Sequence, residues 1–397
     1  MKCKRCGNEN PKYFYQDKGV WYCRKCIAFG RIDVDCEPSK RVYQKKKHHV
    51  QYQLKYPLTK AQEVAVAQIK EYQEAGNDVL VYAACGAGKT ELVMDSMQRY
   101  LNKGYKVGFA ISRRQVVLEI SERMKEAFPT LHVIPVCEGY CEVIDADIIV
   151  CTMHQLYRYY QTFDLLIMDE IDAFPYRGNE MLKTIAMNAC VGRKLYLTAT
   201  PDEETLQAVQ KGELKLVELF QRPHGYPLIV PDIIHTLPFR QMLFVLYLLG
   251  KQRKEKKQVL LFVPTIAQAH QYHRWLRLLF RCAVFTSKTE DKEKVIDDFH
   301  AQKYEFLIST TILERGITIK GINIIILHAD HPVFNEASLI QMIGRVGRNI
   351  DIPTGKGWFL CSQVTSDIKR CVRALKKMNA SLTENGDKTI KLRKEKT

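Results

Sequence analysis

The chain alternates between uninterrupted apolar runs of strand length and longer stretches with helical spacing. The first series of runs is VLVYAA (79–84), KVGFAIS (106–112), DIIVCT (147–152), LLIMDE (165–170) and KLYLTAT (194–200). Strands apolar on both faces and separated by helix-length segments predict a parallel sheet covered on both sides. The pattern breaks at the Pro- and Gly-rich stretch RPHGYPLIVPDIIHTLPFR (222–240). It then resumes as VLLFVPT (259–265), AVFT (283–286), FLIST (306–310), IIILHA (324–329) and GWFLC (357–361). The expected fold is α/β, with two tandem parallel-sheet domains, 56–221 and 241–385, joined by 222–240. A four-cysteine module (1–30) and a basic linker (31–55) precede them, and a basic tail (386–397) follows. No short internal repeat is evident.

Composition adds a partner class. The 397 residues are 46% apolar, and 60 Lys+Arg against 44 Asp+Glu give a net charge of +16. That balance favours a polyanion, either nucleic acid or an acidic membrane face. The N-terminus lacks the apolar core of a signal peptide. The apolar run MLFVLYLL (242–249) is too short to span a bilayer and reads as a buried helix segment. Thirteen cysteines, an odd number, suggest a reducing, cytoplasmic compartment.

The segment AACGAGKT (83–90) follows a strand and precedes helix-compatible ELVMDSMQRYL, the context a phosphate-binding loop requires. Gly86 and Gly88 let the backbone N–H groups of Ala84, Cys85, Gly86, Ala87 and Gly88 curl toward phosphate oxygens. Lys89 would reach the β- and γ-phosphates of ATP and Thr90 would ligate Mg²⁺. The acids of DEID (169–172) end an apolar strand, a costly placement unless they work. Asp169 is placed to hold Mg²⁺ and Glu170 to activate the attacking water; the plainer reading is a helix-capping turn.

Further on, QMIGRVGR (341–348), read as a helix, puts Gln341, Arg345 and Arg348 on one face, an arrangement that wants an anion with several oxygens. At the head of the chain, CKRC (3–6) and CRKC (23–26) give the C-x₂-C-x₁₆-C-x₂-C spacing of a structural Zn²⁺ site held by Cys3, Cys6, Cys23 and Cys26. The residues between would form a hairpin. Cys137 and Cys141 read as core or loop, and Cys85 as packing.

AACGAGKT, DEID and LTAT (197–200) together resemble the superfamily 2 helicases and translocases, which implies that both parallel-sheet domains are RecA-like; in that group Ala often replaces the first glycine of the loop. PLTKAQ (57–62) is similar to that group's upstream glutamine motif and implies that Gln62 reads adenine. LFVPT (261–265), STTILERGITIKG (309–321) and QMIGRVGR resemble its motifs IV, V and VI. Motif VI implies an anion for the arginines, the γ-phosphate of ATP gripped by Lys89. The resemblance favours Arg348 as the finger, with Arg345 and Gln341 beside it. ATP would thus bridge the domains and hydrolysis release them. Thr311 and Thr318 depart from the RNA-helicase pattern and favour DNA.

Motif matches in SRRQ (112–115), TMHQL (152–156), LTAT and motif V imply that Ser112, Arg113, Arg114, Thr152, His154, Thr198 and Thr310 hold a strand by its phosphates. The basic arm KRVYQKKKHH (40–49), with Tyr43 and Tyr52, either extends this track or is a solvated charge run. The zinc head before a compact motor resembles the ComFA family of late-competence, helicase-like proteins, as do DEIDAFPY (169–176) and RPHGYPL (222–228). That resemblance implies an ATP-driven single-stranded DNA translocase at the inner face of the membrane. Its implied partners are a ComFC-like companion, a membrane DNA channel and further copies of the chain. A PriA-like restart helicase, an ATP-switched scaffold and an RNA helicase are the alternatives. PriA carries its zinc in the second half, where this chain has no cysteine pairs.

Overall fold

The computed structural model describes the backbone of residues 1–314, 319–349 and 351–394, with side chains to residue 382. Thr318 and the rest of 315–318 in motif V lie outside the described residues. The chain divides into two compact units, Met1–Ala83 with Gly88–Leu219, and Ala84–Ala87 with Phe220 onward.

The first unit opens with hairpin β1 (Phe14–Asp17) and β2 (Val20–Cys23). There follow α1 (Lys60–Glu74), β3 (Asp78–Ala83), α2 (Lys89–Leu92), α3 (Met94–Asn102), β4 (Val107–Ile111), α4 (Arg114–Ala127), β5 (Val133–Val136), β6 (Ile148–Thr152), β7 (Phe163–Asp169), α5 (Glu180–Ala189), β8 (Cys190–Thr198), α6 (Glu203–Gln210) and β9 (Leu214–Leu219). The seven-stranded sheet is parallel, ordered β5-β6-β4-β7-β8-β3-β9. Leu80, Ala110, Ile149, Leu166 and Met168 fill one face, closed by Leu182, Ile185 and Ala186 of α5. Val93 separates α2 from α3, so the expected single helix after the phosphate loop is interrupted.

The second unit contains β10 (Asp232–His235), α7 (Pro238–Lys254), β11 (Val259–Phe262), α8 (Ile266–Leu276), β12 (Cys282–Phe285), α9 (Lys292–His300), β13 (Phe306–Ser309), β14 (Asn323–Leu327), α10 (Glu336–Ile343), β15 (Gly357–Cys361) and α11 (Ser366–Lys394). Its six strands are parallel, ordered β10-β15-β14-β11-β13-β12. The stretch 222–240 is therefore more than a connection, because it supplies edge strand β10. MLFVLYLL lies within α7, and only one face of it is buried: Val245, Leu248 and Leu249 are covered, whereas Leu243 and Tyr247 are exposed. No helix among the described residues is long and apolar enough to cross a membrane.

The basic linker is a strap over the first unit. Tyr43 packs on Tyr159, Lys45 pairs with Asp164 at 2.6 Å, and His48 approaches Asp147 at 3.1 Å. The buried ammonium of Lys106 is held by the Gln44 carbonyl and by Asp145. Asn102 exchanges two hydrogen bonds with the Val50 backbone, and the Tyr52 N–H donates to Gln98. The cationic arm is thus tied down by acids and backbone, although Lys46 and Lys47 remain exposed.

Candidate nucleotide, metal and strand sites

Ligands of open parallel sheets bind beyond the carboxyl ends of the strands. In the first unit those ends carry Ser112 after β4, Thr152 of β6, Asp169 of β7 and Thr198 of β8, and the phosphate loop follows β3. Gly88 caps the start of α2 with φ +85°, a left-handed value that favours glycine. A Cβ there would also run into Nε2 of Gln62. Gln62 is buried. Its side chain accepts from Thr59 N–H at 2.9 Å and its own N–H donates to the Thr59 hydroxyl at 3.3 Å, a capping box that starts α1. The capping box sets Gln62 against the phosphate loop.

Lys89 and Thr90 open α2, and Thr90 is buried with its hydroxyl 3.5 Å from Nη1 of Arg123. Burial pushes the Asp169 carboxyl up to about 6; Lys89 pulls it back and Glu170 adds to the rise. Glu170 has φ +54° and donates its N–H to Asp169 Oδ1 at 2.8 Å. A left-handed backbone at a non-glycine residue is uncommon and gathers at functional sites. Buried oxygens on Thr90 and Asp169 are the hard donors Mg²⁺ takes.

Thr198 does not face a strand. It is fully buried, and its hydroxyl donates to Oδ1 of Asp172 at 2.7 Å; Thr200 donates to Oδ2 at 2.6 Å. The LTAT segment thereby clamps the turn after the acids, a link spanning 26 to 28 positions that spacing could not reveal. Ser112 is buried and its hydroxyl has no partner among the described residues. Arg113 is half-buried, and exposed Arg114 donates to the Glu138 carbonyl at 2.9 Å and lies over Tyr140. Thr152 is half-buried, and His154 is exposed beside Phe29.

In the second unit α10 stops at Ile343, so Gln341, Arg345 and Arg348 do not share a helical face. Gly344 is the C-cap and Gly347 takes φ +64°, where a Cβ would run into the Pro353 carbonyl. Arg222, unremarked in the sequence beyond its place in RPHGYPL, replaces the helix's own donors. It is 1% exposed and donates to the carbonyls of Gly344 (2.7 Å), Val346 (2.7 Å) and Gly347 (3.0 Å). Burial holds its pKa down to about 10, and neighbouring Arg348 adds to the fall. Arg345 is buried and donates to the Glu314 carbonyl at 3.1 Å. Nε of Arg348 is buried with no partner among the described residues. Gln341 and Thr310 are buried.

The thiols of Cys3, Cys6, Cys23 and Cys26 lie within 4.8 Å of one another, all buried. Cys3–Cys26 and Cys6–Cys23 sulfurs are 3.8 and 3.7 Å apart. Tetrahedral Zn–S bonds of about 2.3 Å require S···S edges of about 3.8 Å, whereas a disulfide would require about 2.0 Å. The cluster fits zinc. Arg5 donates to Cys26 Sγ at 3.2 Å, as an outer partner of a thiolate ligand does. The module docks on the seven-stranded sheet domain through Phe29 stacked on Tyr157 and through Asn188, whose amide donates to the Lys4 carbonyl at 3.0 Å.

Comparison with known proteins matches these parts in order. Residues 1–38 match the competence protein ComFA N-terminal domain. Residues 55–203 match the res subunit of type III restriction enzymes, and 240–350 match the helicase conserved C-terminal domain. Yeast Dbp5 bound to RNA and ADP BeF3 is similar over 81% of this chain and 91% of its own, with TM-score 0.58 and 16% identity. RecG bound to a three-way DNA junction is similar over 81% and 45%, with TM-score 0.58 and 20% identity. These two show the fold. Competence protein ComFA of Bacillus subtilis (strain 168) is 29% identical, over 95% of this chain and 85% of its own. ComFA of Streptococcus pneumoniae (strain ATCC BAA-255 / R6) is 34% identical, over 95% of this chain and 90% of its own. With the four-cysteine head, the phosphate loop and both parallel-sheet units accounted for, the chain belongs to the ComFA family of superfamily 2 helicase-like proteins.

Proposed function

We propose that this chain is an ATP-dependent, helicase-like motor that moves single-stranded DNA during uptake of transforming DNA. The observation that carries the reading is the carboxyl edge of the first sheet. There a glycine-shaped phosphate loop at the end of β3 and, two strands away at the end of β7, a buried carboxyl and a strained glutamate share one edge of the sheet in a ComFA-family chain.

In this reading Lys89 neutralises the β- and γ-phosphates, and the backbone of 84–88 cradles them. Thr90 and Asp169 hold Mg²⁺, which supplies charge neutralisation at the transferring phosphate. Glu170 orients and deprotonates the attacking water. Gln62 contacts adenine from the phosphate-loop side. Arg348 and Arg345 stabilise charge on the γ-phosphate, with Gln341 beside them. The buried orphan Nε of Arg348 is a donor that an anion would satisfy. Ser112, Arg113, Arg114, Thr152, His154 and Thr310 hold the strand by its phosphates, without reading bases. Thr198 relays between that surface and the acids through Asp172. The four cysteines hold Zn²⁺ as a structural ion. The ComFC-like companion, the DNA channel and the inner membrane face belong to this proposal as the setting of the motor.

ATP turnover measured against single- and double-stranded DNA and RNA tests it. Poly-dT should raise turnover sharply, poly-U less, and Lys89→Ala or Glu170→Gln should abolish it. Equal turnover with and without DNA would replace the motor by an ATP-switched scaffold.

A further inference from the structure

The turn that follows β7 holds a side chain without a duty in the chemistry above. From Ile171 to Tyr176 every residue is buried except Phe174, which is 88% exposed. Single apolar side chains in water are ordinary on protein surfaces, so exposure alone says little. This turn is braced on both sides of the ring. Asp172 is clamped by Thr198 and Thr200. The Ala173 N–H donates to the Glu170 carbonyl at 2.9 Å, and Tyr176 and Arg177 both donate to the Ala173 carbonyl at 3.0 Å. Tyr176 is buried in the core of the first unit.

Strand order adds direction. The turn leaves β7 at the carboxyl edge, between β4, which leads to the Ser112 hydroxyl, without a partner among the described residues, and β8, which leads into the threonine clamp. We propose that Phe174 is a stacking platform for a base of the bound single strand, and a positioning residue for Glu170. This rests on the proposed function and adds the route by which strand occupancy reaches hydrolysis. An aromatic face stacks on any base, which suits a strand gripped without sequence preference. The route to the water-activating carboxylate is short: ring, Ala173 backbone, and the hydrogen bond onto the Glu170 peptide. Glu170 already stands at φ +54°, so a small turn of that peptide re-aims its side chain.

The test uses the full chain as Phe174→Ala and Phe174→Trp, each compared with wild type. Because the ring is exposed, both variants should melt at the wild-type temperature. Stacking on one base corresponds to about 1–3 kcal/mol by alanine substitution, or roughly five- to 150-fold. The poly-dT concentration giving half-maximal turnover should rise by that factor in F174A, and the ratio of stimulated to DNA-free turnover should fall. F174W should restore both. Its added fluorescence over wild type should be quenched by poly-dT and not by an abasic deoxyribose-phosphate polymer. If wild type responds to poly-dT and F174A responds equally, Phe174 touches no base and this inference falls alone. If wild type does not respond, the proposed function falls and takes it along. Quenching by the abasic polymer would make Phe174 a backbone neighbour and overturn stacking. Loss of stimulation in F174A without quenching in F174W would point to a protein partner and would likewise overturn stacking.

Discussion

Replacement of Arg222 by methionine is a direct test of how the arginines of motif VI are presented. The substitution keeps most of the side-chain length and removes the guanidinium. Three buried carbonyls, those of Cys85, Gly344 and Val346, then lose their donor, while the Gly347 carbonyl keeps His224 Nε2 at 2.9 Å. Each orphaned acceptor costs about 1–3 kcal/mol, or about 3–9 kcal/mol together. The relief is the removal of a buried cation with no carboxylate partner among the described residues. Its fall from the usual 12.5 to about 10, chiefly through burial, corresponds to roughly 3 kcal/mol. The net loss centres on about 3 kcal/mol. With a urea dependence of about 2 kcal/mol per molar, the transition of the second unit should move down by about 1.5 M. Trp275 and Trp358 report that unit by fluorescence, and Trp358 is buried. Because the loosened loop carries Arg345 and Arg348, kcat for ATP should fall by at least about tenfold with a smaller change in KM. Arg222→Lys keeps the charge without the fork and should fall between. An R222M midpoint within about 0.3 M of wild type, with wild-type kcat, would mean that these carbonyls have other donors and that the loop does not depend on Arg222.

Three further outcomes follow from the geometry. Thr198→Val removes a buried hydrogen bond to Asp172, costing about 1–3 kcal/mol; it should lower DNA-stimulated kcat while leaving the affinity for poly-dT unchanged in a fluorescence titration. Metal analysis should find about one zinc per chain, lost in the Cys3→Ala/Cys6→Ala double variant, because four thiolates at tetrahedral spacing make one closed site. Mg²⁺ needs the ionised form of Asp169, and burial raises that group to about 6. Hence kcat/KM for MgATP, which reports the free enzyme, should be flat above pH 7 and fall tenfold per unit below about 6; a profile flat down to pH 5 would show that Asp169 is already ionised or not required.

The ten apolar runs are all strands, nine of them central, because central strands of a covered parallel sheet must be apolar on both faces; β12 is the tenth, at an edge. The three strands that the pattern missed, β5, β9 and β10, lie at sheet edges. Edge positions admit Pro135 in β5, the alternating LKLVEL of β9 and the largely exposed DIIH of β10. Local motifs with fixed spacing were equally readable: the paired cysteines, the phosphate loop and the acids after β7 all stand on the elements expected. The helical reading of QMIGRVGR failed because two glycines and Arg222 end α10 early, and Arg222 stands 122 to 125 positions from the motif VI carbonyls it binds. The buried partner of Thr198 is hidden for the same reason. A hydroxyl at the end of a strand looks identical whether it meets a phosphate or, as here, a carboxylate 26 positions earlier.

The strap over the first unit bears on how the four-cysteine head can be studied. Cutting away the first 55 residues would strip the cover from Tyr159 and leave the Lys106 ammonium without the Gln44 carbonyl. It would also take Lys45 from Asp164 and the Val50 backbone from Asn102. A shortened protein that failed to work would therefore report damage to the motor's own scaffold rather than the contribution of the metal. Point changes at the cysteines, which leave residues 40–53 in place, separate the two.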